Sequence, residues 1–161
     1  MLMKQNAIHG ARWIAVCFAV LFAAACAQTK PDGLSSNVTP GTGQDFVVNV
    51  GDRVFFEEDQ SVLNAQGQAT LANQAKWLNR YSQYTITVEG HADERGTRQY
   101  NIALGARRAQ AARDYLVGQG VSASRIRTIS YGKERPVAVC NDNSCWSQNR
   151  RAVTVLNNAT N

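Results

Sequence analysis

The chain has 161 residues, 44% of them hydrophobic and 18% charged, which is ordinary for one globular domain with short extensions. Its formal net charge is +5. Lys4 and Arg12 lie in a segment predicted to be removed, and the remaining chain has 15 basic and 12 acidic residues, a net charge of +3. So small and scattered a surplus does not argue for a nucleic-acid binder, and no nucleic-acid partner is expected.

Residues 1–25 are predicted to be a signal peptide. A positive start precedes the apolar run 13–25, which is too short for a transmembrane helix and suits the hydrophobic region of a signal. The run ends in small residues before Cys26 and resembles the lipobox of bacterial lipoproteins, although Ala23 stands where leucine is usual. Cys26 is therefore the expected lipidation site. The alternative is an ordinary secretory signal cut near Ala25, with Cys26 left as a plain thiol.

Residues 26–45 are predicted to form the lipidated cysteine and a flexible linker. The segment is rich in Gly, Ser, Thr, Pro and Asn, and it has too little apolar surface to offset the conformational entropy that folding would cost. The folded domain is expected to occupy residues 46–161.

The hydrophobic pattern of this domain predicts alternating strands and helices. Apolar residues at every second position indicate strands, and apolar residues three and four positions apart indicate helices. The predicted elements are strands 46–50 and 54–56, a helix 63–80, a strand 84–90, a helix 102–118, and strands 126–132 and 151–156. This order favours crossover connections that place two helices on one side of a sheet.

A charged loop joins a predicted strand to a predicted helix within residues 90–109, GHADERGTRQYNIALGARRA. Asp93 in the loop and Arg108 in the helix are 15 positions apart, and a loop that folds back would bring them into one pocket. Such a pocket suits a ligand centre with both an ammonium and a carboxylate, because Asp93 binds the first and the planar guanidinium binds the second bidentately. The alternative is a surface salt bridge of little energetic worth.

The four cysteines fall into two groups. Cys17 and Cys26 belong to the N-terminal segment, which leaves Cys140 and Cys145 together in one loop of an exported domain. That context predicts a disulfide. A metal site is the weaker alternative, because His91 is the one other soft ligand of the mature chain. The sequence contains no motif that pairs a nucleophilic side chain with a general base. Neither an enzymatic activity nor a cofactor is therefore expected.

Four motifs in one order resemble the OmpA-like peptidoglycan-binding domain. They are FEED (56–59) followed by Leu63, GHADERG (90–96), NIALGARRA (101–109) and NRRAV (149–153). The resemblance implies an α+β two-layer sandwich, β-α-β-α-β-β, with two main helices on one face of a mixed sheet. It also implies binding of the diaminopimelate side chain of peptidoglycan. Matched to the family's motifs, the key acid is Asp93, the key base is Arg108, and the rim of the groove contains Asp59, Leu104, Asn149 and Arg151.

The lipobox, the polar linker and the motifs GHADERGT, SYGKE and NRRAV together resemble the lipoproteins of the Tol-Pal system more closely still. This implies an outer-membrane lipoprotein that faces the periplasm, binds peptidoglycan, TolB and other Tol proteins, and supports membrane integrity and constriction during division. A wall-binding lipoprotein outside that system and, less favoured, a periplasmic enzyme acting on peptidoglycan are the alternatives. The loop between Cys140 and Cys145 departs from the group's pattern and affects only the local loop shape.

Overall fold

The computed structural model describes residues 38–158, so the predicted signal peptide and Cys26 lie outside the described residues. The helices are α1 Gly43–Asp45, α2 Ala65–Arg80, α3 Arg98–Gly118 and α4 Asn143–Asn149, and the strands are β1 Arg53–Phe55, β2 Ile86–His91, β3 Ile126–Gly132 and β4 Arg151–Leu156. A π-helical turn, Phe46–Val50, and a 3-10 turn, Ala123–Arg125, are also present. In this part of the chain no helix combines the length and apolar character needed to cross a membrane.

The strands form one mixed sheet in the order β1-β4-β2-β3. Strands β2 and β3 are parallel, whereas β4 pairs antiparallel with both β1 and β2. The apolar stripes of α2 and α3 are buried in one core with the inner side chains of the sheet; these helix residues are Leu71, Ala75, Leu78, Ala109, Ala112 and Leu116. The predicted α+β fold, with two main helices on a mixed sheet, is confirmed.

The segment Phe46–Val50 forms a π-helical turn and not the predicted strand. Phe46 is buried and its ring lies 5.0 Å from that of Trp77, while Val47 and Val48 are more than half exposed. A helical turn allows this single aromatic anchor to pack on α2, and Gly51, with φ of +88°, ends the turn. The three valines that suggested a strand have no neighbouring strand to pair with among the described residues.

The folded domain begins before residue 46, so a flexible linker that extends to residue 45 does not agree with the structure. The buried carboxylate of Asp45 accepts hydrogen bonds from the backbone N–H of Gly41 at 2.7 Å and from Nε1 of Trp77 at 2.8 Å. The hydroxyl of Tyr84 donates to the carbonyl of Gly41 at 2.7 Å. A polar segment is thus ordered by hydrogen bonds to the domain, which its composition did not indicate.

Helix α4 was not predicted, and it carries the predicted disulfide. Cys140 and Cys145 are bonded, with their Cα atoms 5.6 Å apart, which confirms that prediction. Asp142 caps the helix, since its side chain accepts a hydrogen bond from the backbone N–H of Ser144 at 2.7 Å. The disulfide therefore joins the loop before α4 to the helix itself.

Strand β2 and helix α3 approach each other backbone to backbone at Gly90 and Gly105. A Cβ atom on Gly90 would lie 1.8 Å from the carbonyl oxygen of Gly105, so only glycine fits there. Ser130 of β3 also donates to the carbonyl of Ile102 in α3 at 2.7 Å. These contacts set the position of the loop after β2 relative to the helix that carries Arg108.

Candidate ligand-binding site

Asp93 lies just after β2 and is 8% exposed. Its carboxylate accepts three hydrogen bonds from Arg95, namely from the backbone N–H at 3.2 Å, from Nε at 3.1 Å and from Nη2 at 2.7 Å. It accepts a fourth from Nη1 of Arg150 at 3.4 Å. Burial is the largest single influence on the pKa of Asp93 and raises it, but the hydrogen bonds outweigh burial and the pKa lies below its usual value. The carboxylate is therefore ionised at neutral pH.

Arg108 is completely buried in α3. Its guanidinium donates to the backbone carbonyls of Gln60 at 2.8 Å, His91 at 2.8 Å and Glu57 at 3.1 Å. Burial lowers the pKa of Arg108 to about 10, and the nearby charge of Asp93 partly opposes this shift. Arg108 is thus a cation at neutral pH, and it joins the loop after β1 to the end of β2.

The structure brings Asp93 and Arg108 into one charged cluster, as the sequence predicts, but they do not form the simple pair that was expected. Within residues 38–158 no salt bridge joins the two, and each has other partners. A surface salt bridge does not describe them either, because both side chains are buried. We define the cluster as Asp93, Arg95, Arg108 and Arg150.

Two of the predicted rim residues are associated with the first turns of α3: Asp59 contacts the helix through Tyr100, and Leu104 is part of it. Asp59 is exposed, has a φ of +54° and accepts a hydrogen bond from the hydroxyl of Tyr100. Aspartate is one of the residues that tolerate this backbone conformation. Leu104 is 5% exposed, so it is not available as an open contact surface in this structure.

The other two predicted rim residues, Asn149 and Arg151, are buried and hold loops together. The side-chain oxygen of Asn149 accepts hydrogen bonds from the backbone N–H groups of Val137 at 2.8 Å and Ala138 at 3.3 Å. Arg151 donates to the carbonyl of Arg135 at 3.2 Å, and burial lowers its pKa. Both residues support the segment that follows β3 and do not contact Asp93 in this structure.

Arg95 and Arg150 contact Asp93, although neither is among the site residues predicted from the sequence. Arg150 also donates to the carbonyl of Phe56 at 3.1 Å and to Oδ1 of Asn143 at 3.2 Å. No pattern in the sequence distinguishes Arg150 from Arg151, because both side chains are buried and Arg150 precedes β4, at the C-terminal cap of α4.

A cleft of about 430 Å³ opens beside the cluster between the end of β1 and α4. Arg150 is the member of the cluster that lines it, together with Phe56 and Asn143. The cleft therefore reaches the cluster from the side of α4.

His91 is expected to make the domain less stable in mild acid. Its side chain is 2% exposed, and its pKa is lowered to about 4 by burial and then by the charges of Arg151, Arg135 and Arg53. The unfolded chain binds this proton near pH 6.5 and the folded domain only near pH 4. The free energy of unfolding should therefore fall as the pH drops from 6.5 to 4, by up to about 3 kcal/mol.

Urea unfolding at pH 7, 5.5 and 4 measures this dependence. In His91→Gln, which cannot take up the proton, the loss of stability between pH 6.5 and 4 should be much smaller than in the wild type. An identical loss in the two proteins would assign the effect to other groups.

Comparisons with known proteins agree with the fold. Residues 55–152 match the OmpA family. A protein of Mesorhizobium japonicum named peptidoglycan-associated lipoprotein is 62% identical over 149 residues, which are 88% of this chain and 89% of the relative. A protein of Agrobacterium fabrum with the same name is 68% identical over 127 residues, covering 79% of this chain and 72% of the relative.

Among solved structures, the peptidoglycan-associated lipoprotein from Burkholderia pseudomallei is similar, with a TM-score of 0.67 and 38% identity. The match covers 70% of this chain and 98% of that one. The region that matches the family contains all four members of the cluster.

Proposed function

The chain belongs to the OmpA family and, within it, to the peptidoglycan-associated lipoproteins, a family of binding proteins and not of enzymes, and from this we propose that it binds the diaminopimelate residue of the peptidoglycan stem peptide at the cluster around Asp93. The side chain of diaminopimelate ends in a centre that carries both an ammonium and a carboxylate. The proposal therefore requires a site with a fixed anion and a surplus of cations.

The observation that carries this proposal is a buried, ionised carboxylate among three guanidinium groups. Asp93 offers a negative partner for the ligand ammonium. Arg95, Arg108 and Arg150 exceed its charge, so a ligand carboxylate would find positive charge that Asp93 does not neutralise. Opposite charges of this kind interact more strongly at a site shielded from water than on an open surface.

The other predicted site residues have supporting parts in this proposal. Asp59 remains at an exposed edge beside the start of α3, where it can contact the peptide. Leu104, Asn149 and Arg151 are buried, and Asn149 and Arg151 bond the segment that follows β3. We therefore expect their substitution to change ligand binding through the fold and not through a direct contact.

Asp93→Asn is expected to weaken binding to purified peptidoglycan by about 100-fold or more. Asparagine keeps the shape of the side chain but gives the ligand ammonium no counter-charge, and loss of one member of a buried charge pair typically costs ~3 kcal/mol. Co-sedimentation with peptidoglycan sacculi measures the effect. Asp114→Asn on the exposed side of α3 is the matched control and should bind as the wild type does. Wild-type binding by Asp93→Asn would remove Asp93 from the site.

Membership of the lipoprotein family implies that the protein is associated with the cell envelope. We propose further that it is anchored in the outer membrane and faces the periplasm. A lipid on Cys26 would anchor the protein in the outer membrane, residues between the anchor and the domain would cross the intervening gap, and the domain would bind the wall from the periplasm. Such a protein tethers the membrane to the wall. Within the Tol-Pal system it would also bind TolB and other Tol proteins and act in constriction during division; co-purification with TolB tests that part separately.

Cys26→Ser is expected to move the protein from the membrane fraction to the soluble periplasmic fraction, because a serine cannot carry the thioether-linked lipid that would anchor the protein. Fractionation of cells followed by immunoblotting measures the change, and Cys17→Ser serves as the control. Retention of the Cys26→Ser protein in the membrane would contradict lipidation at this position.

A further inference from the structure

Arg95 covers the carboxylate that the ligand ammonium needs. Its backbone N–H, Nε and Nη2 all donate to Asp93, and its Nη1 donates to Glu58 at 2.8 Å. Asp93 has one further side-chain partner in the described part of the chain, Arg150, whose own side chain is 6% exposed. An ammonium can therefore reach Asp93 only if one of the two arginines moves.

Arg95 is the arginine that is free to move. Its side chain is 34% exposed, and its other contacts are with groups near the surface. Arg150, in contrast, is held by the carbonyl of Phe56 and by Asn143 as well as by Asp93. Displacement of Arg95 would break bonds at an exposed edge, whereas displacement of Arg150 would leave a buried carbonyl and a buried cation without partners.

We propose that Arg95 determines which peptide the site accepts, by an exchange of ion pairs: the ligand ammonium replaces Arg95 on Asp93, and the ligand carboxylate then binds the released guanidinium. This inference rests on the proposed function and adds a selectivity mechanism to it. No covalent bond changes, and each charge that loses a partner gains another.

The exchange distinguishes a zwitterionic centre from a simple ammonium. Diaminopimelate supplies one cation for Asp93 and one anion for Arg95, so the single Asp93–Arg95 pair is exchanged for two ion pairs with the ligand and neither side chain is left without a partner. A lysine side chain supplies only the cation, so the Arg95 guanidinium would lose the carboxylate to which it donates two hydrogen bonds and keep only Glu58. Charge-assisted hydrogen bonds at partly buried positions are the strong ones, so this loss disfavours the lysine peptide.

Trp146 keeps the guanidinium at the site while its partners change. The centre of the Arg95 guanidinium lies 4.2 Å from the centroid of the Trp146 ring, a cation–π contact that does not depend on which carboxylate Arg95 binds. The indole N–H of Trp146 donates to Glu94 at 3.1 Å, and the disulfide joins the preceding residue, Cys145, to Cys140. Trp146 is thus a positioning residue that acts through Arg95.

The test compares two stem peptides, one with diaminopimelate and one with lysine at the same position, by calorimetry on the detergent-solubilised full chain. We expect the wild type to prefer the diaminopimelate peptide. In Arg95→Gln the ratio of the two affinities should fall at least tenfold, chiefly because the lysine peptide binds more tightly once its ammonium no longer competes with a guanidinium. Arg98→Gln is the matched control, because Arg98 is 73% exposed and pairs with Glu134 away from Asp93.

Three results would overturn the exchange. An unchanged ratio in Arg95→Gln would remove Arg95 from selectivity. A ratio that fell only through weaker binding of the diaminopimelate peptide would make Arg95 a simple carboxylate ligand that never covers Asp93 against the ammonium. Failure of the wild type to bind either peptide would refute the proposed function itself, and the exchange with it.

A fluorescence titration of the tryptophan emission tests whether Arg95 changes its partner, because the Arg95 guanidinium lies over the Trp146 ring. The diaminopimelate peptide should change the tryptophan emission of the wild type, because the cation above the Trp146 ring changes its partner. The change should be absent in Trp146→Phe, which keeps an aromatic ring in the same place. Equal emission changes in the two proteins would show that Arg95 does not respond to the ligand.

Discussion

Arg108→Ala is expected to lower the free energy of unfolding by about 4 kcal/mol and to abolish binding to the wall. The side chain is completely buried, and its removal takes the hydrogen-bond donor from the carbonyls of Gln60, His91 and Glu57. The bond to His91 is buried and the other two are part-buried. An unsatisfied buried carbonyl costs about 1–3 kcal/mol, and the vacated volume adds a cavity cost. The loop after β1 and the end of β2 would then lose the group that joins them beside Asp93.

Urea unfolding and sacculus binding measure the two effects, and Arg107→Ala is the matched control. Arg107 is the exposed neighbour on the same helix, so its removal should change stability by less than about 0.5 kcal/mol. Arg108→Lys keeps the charge but cannot reproduce the fork of a guanidinium, so its stability should lie between those of the wild type and Arg108→Ala. If Arg108→Ala unfolded at the same urea concentration as Arg107→Ala, the three carbonyls would not depend on this residue.

Gly90→Ala is expected to destabilise the domain by more than about 4 kcal/mol, the range reached when a substitution forces structural elements apart. The added Cβ would lie 1.8 Å from the carbonyl oxygen of Gly105 and 3.1 Å from the Cβ of Ala109. Since the closest atom belongs to the backbone of α3, a change of rotamer cannot relieve the clash. Strand β2 and helix α3 would have to separate.

Gly118→Ala is the control for this substitution. A Cβ at Gly118 meets nothing within 4 Å, and alanine is the better helix former, so this variant should be more stable than the wild type by up to about 1 kcal/mol. Thermal unfolding of the two variants side by side measures the difference. Similar melting temperatures would show that the close approach at Gly90 can relax without cost.

The sequence predicted the elements with a regular apolar period and missed those held by specific polar contacts. Strands β3 and β4 have the predicted bounds, Ile126–Gly132 and Arg151–Leu156, because apolar residues alternate along part of each in the sequence. Helix α3 begins at Arg98, four residues before the predicted start, since Thr97 caps a polar first turn that shows no apolar stripe. A local pattern cannot reveal the buried Asp45 carboxylate, whose partner Trp77 is 32 positions away.

The same distinction applies to the charged cluster. The motif resemblance and the spacing of Asp93 and Arg108 indicated that both belong to one region, and the structure places them there. The hydrogen-bond partners of each could not be predicted, because they depend on backbone paths far apart in sequence. Arg108 bonds carbonyls up to 51 positions away, and Asp93 contacts Arg150 across 57 positions.

The contact of Gly90 with Gly105 has a mechanical consequence for the proposed role of linking the outer membrane to the cell wall. Side chains between two elements can change rotamers and so act as a compliant layer when the elements are pulled. Here the backbone of β2 at Gly90 lies directly against the backbone of α3 at Gly105, and α3 is the helix that carries Arg108. A tensile force applied to a bound peptide would thus be transmitted from the site to the sheet with little deformation of the domain. The peptide would detach when its contacts with the site break, and not through gradual rearrangement of the domain.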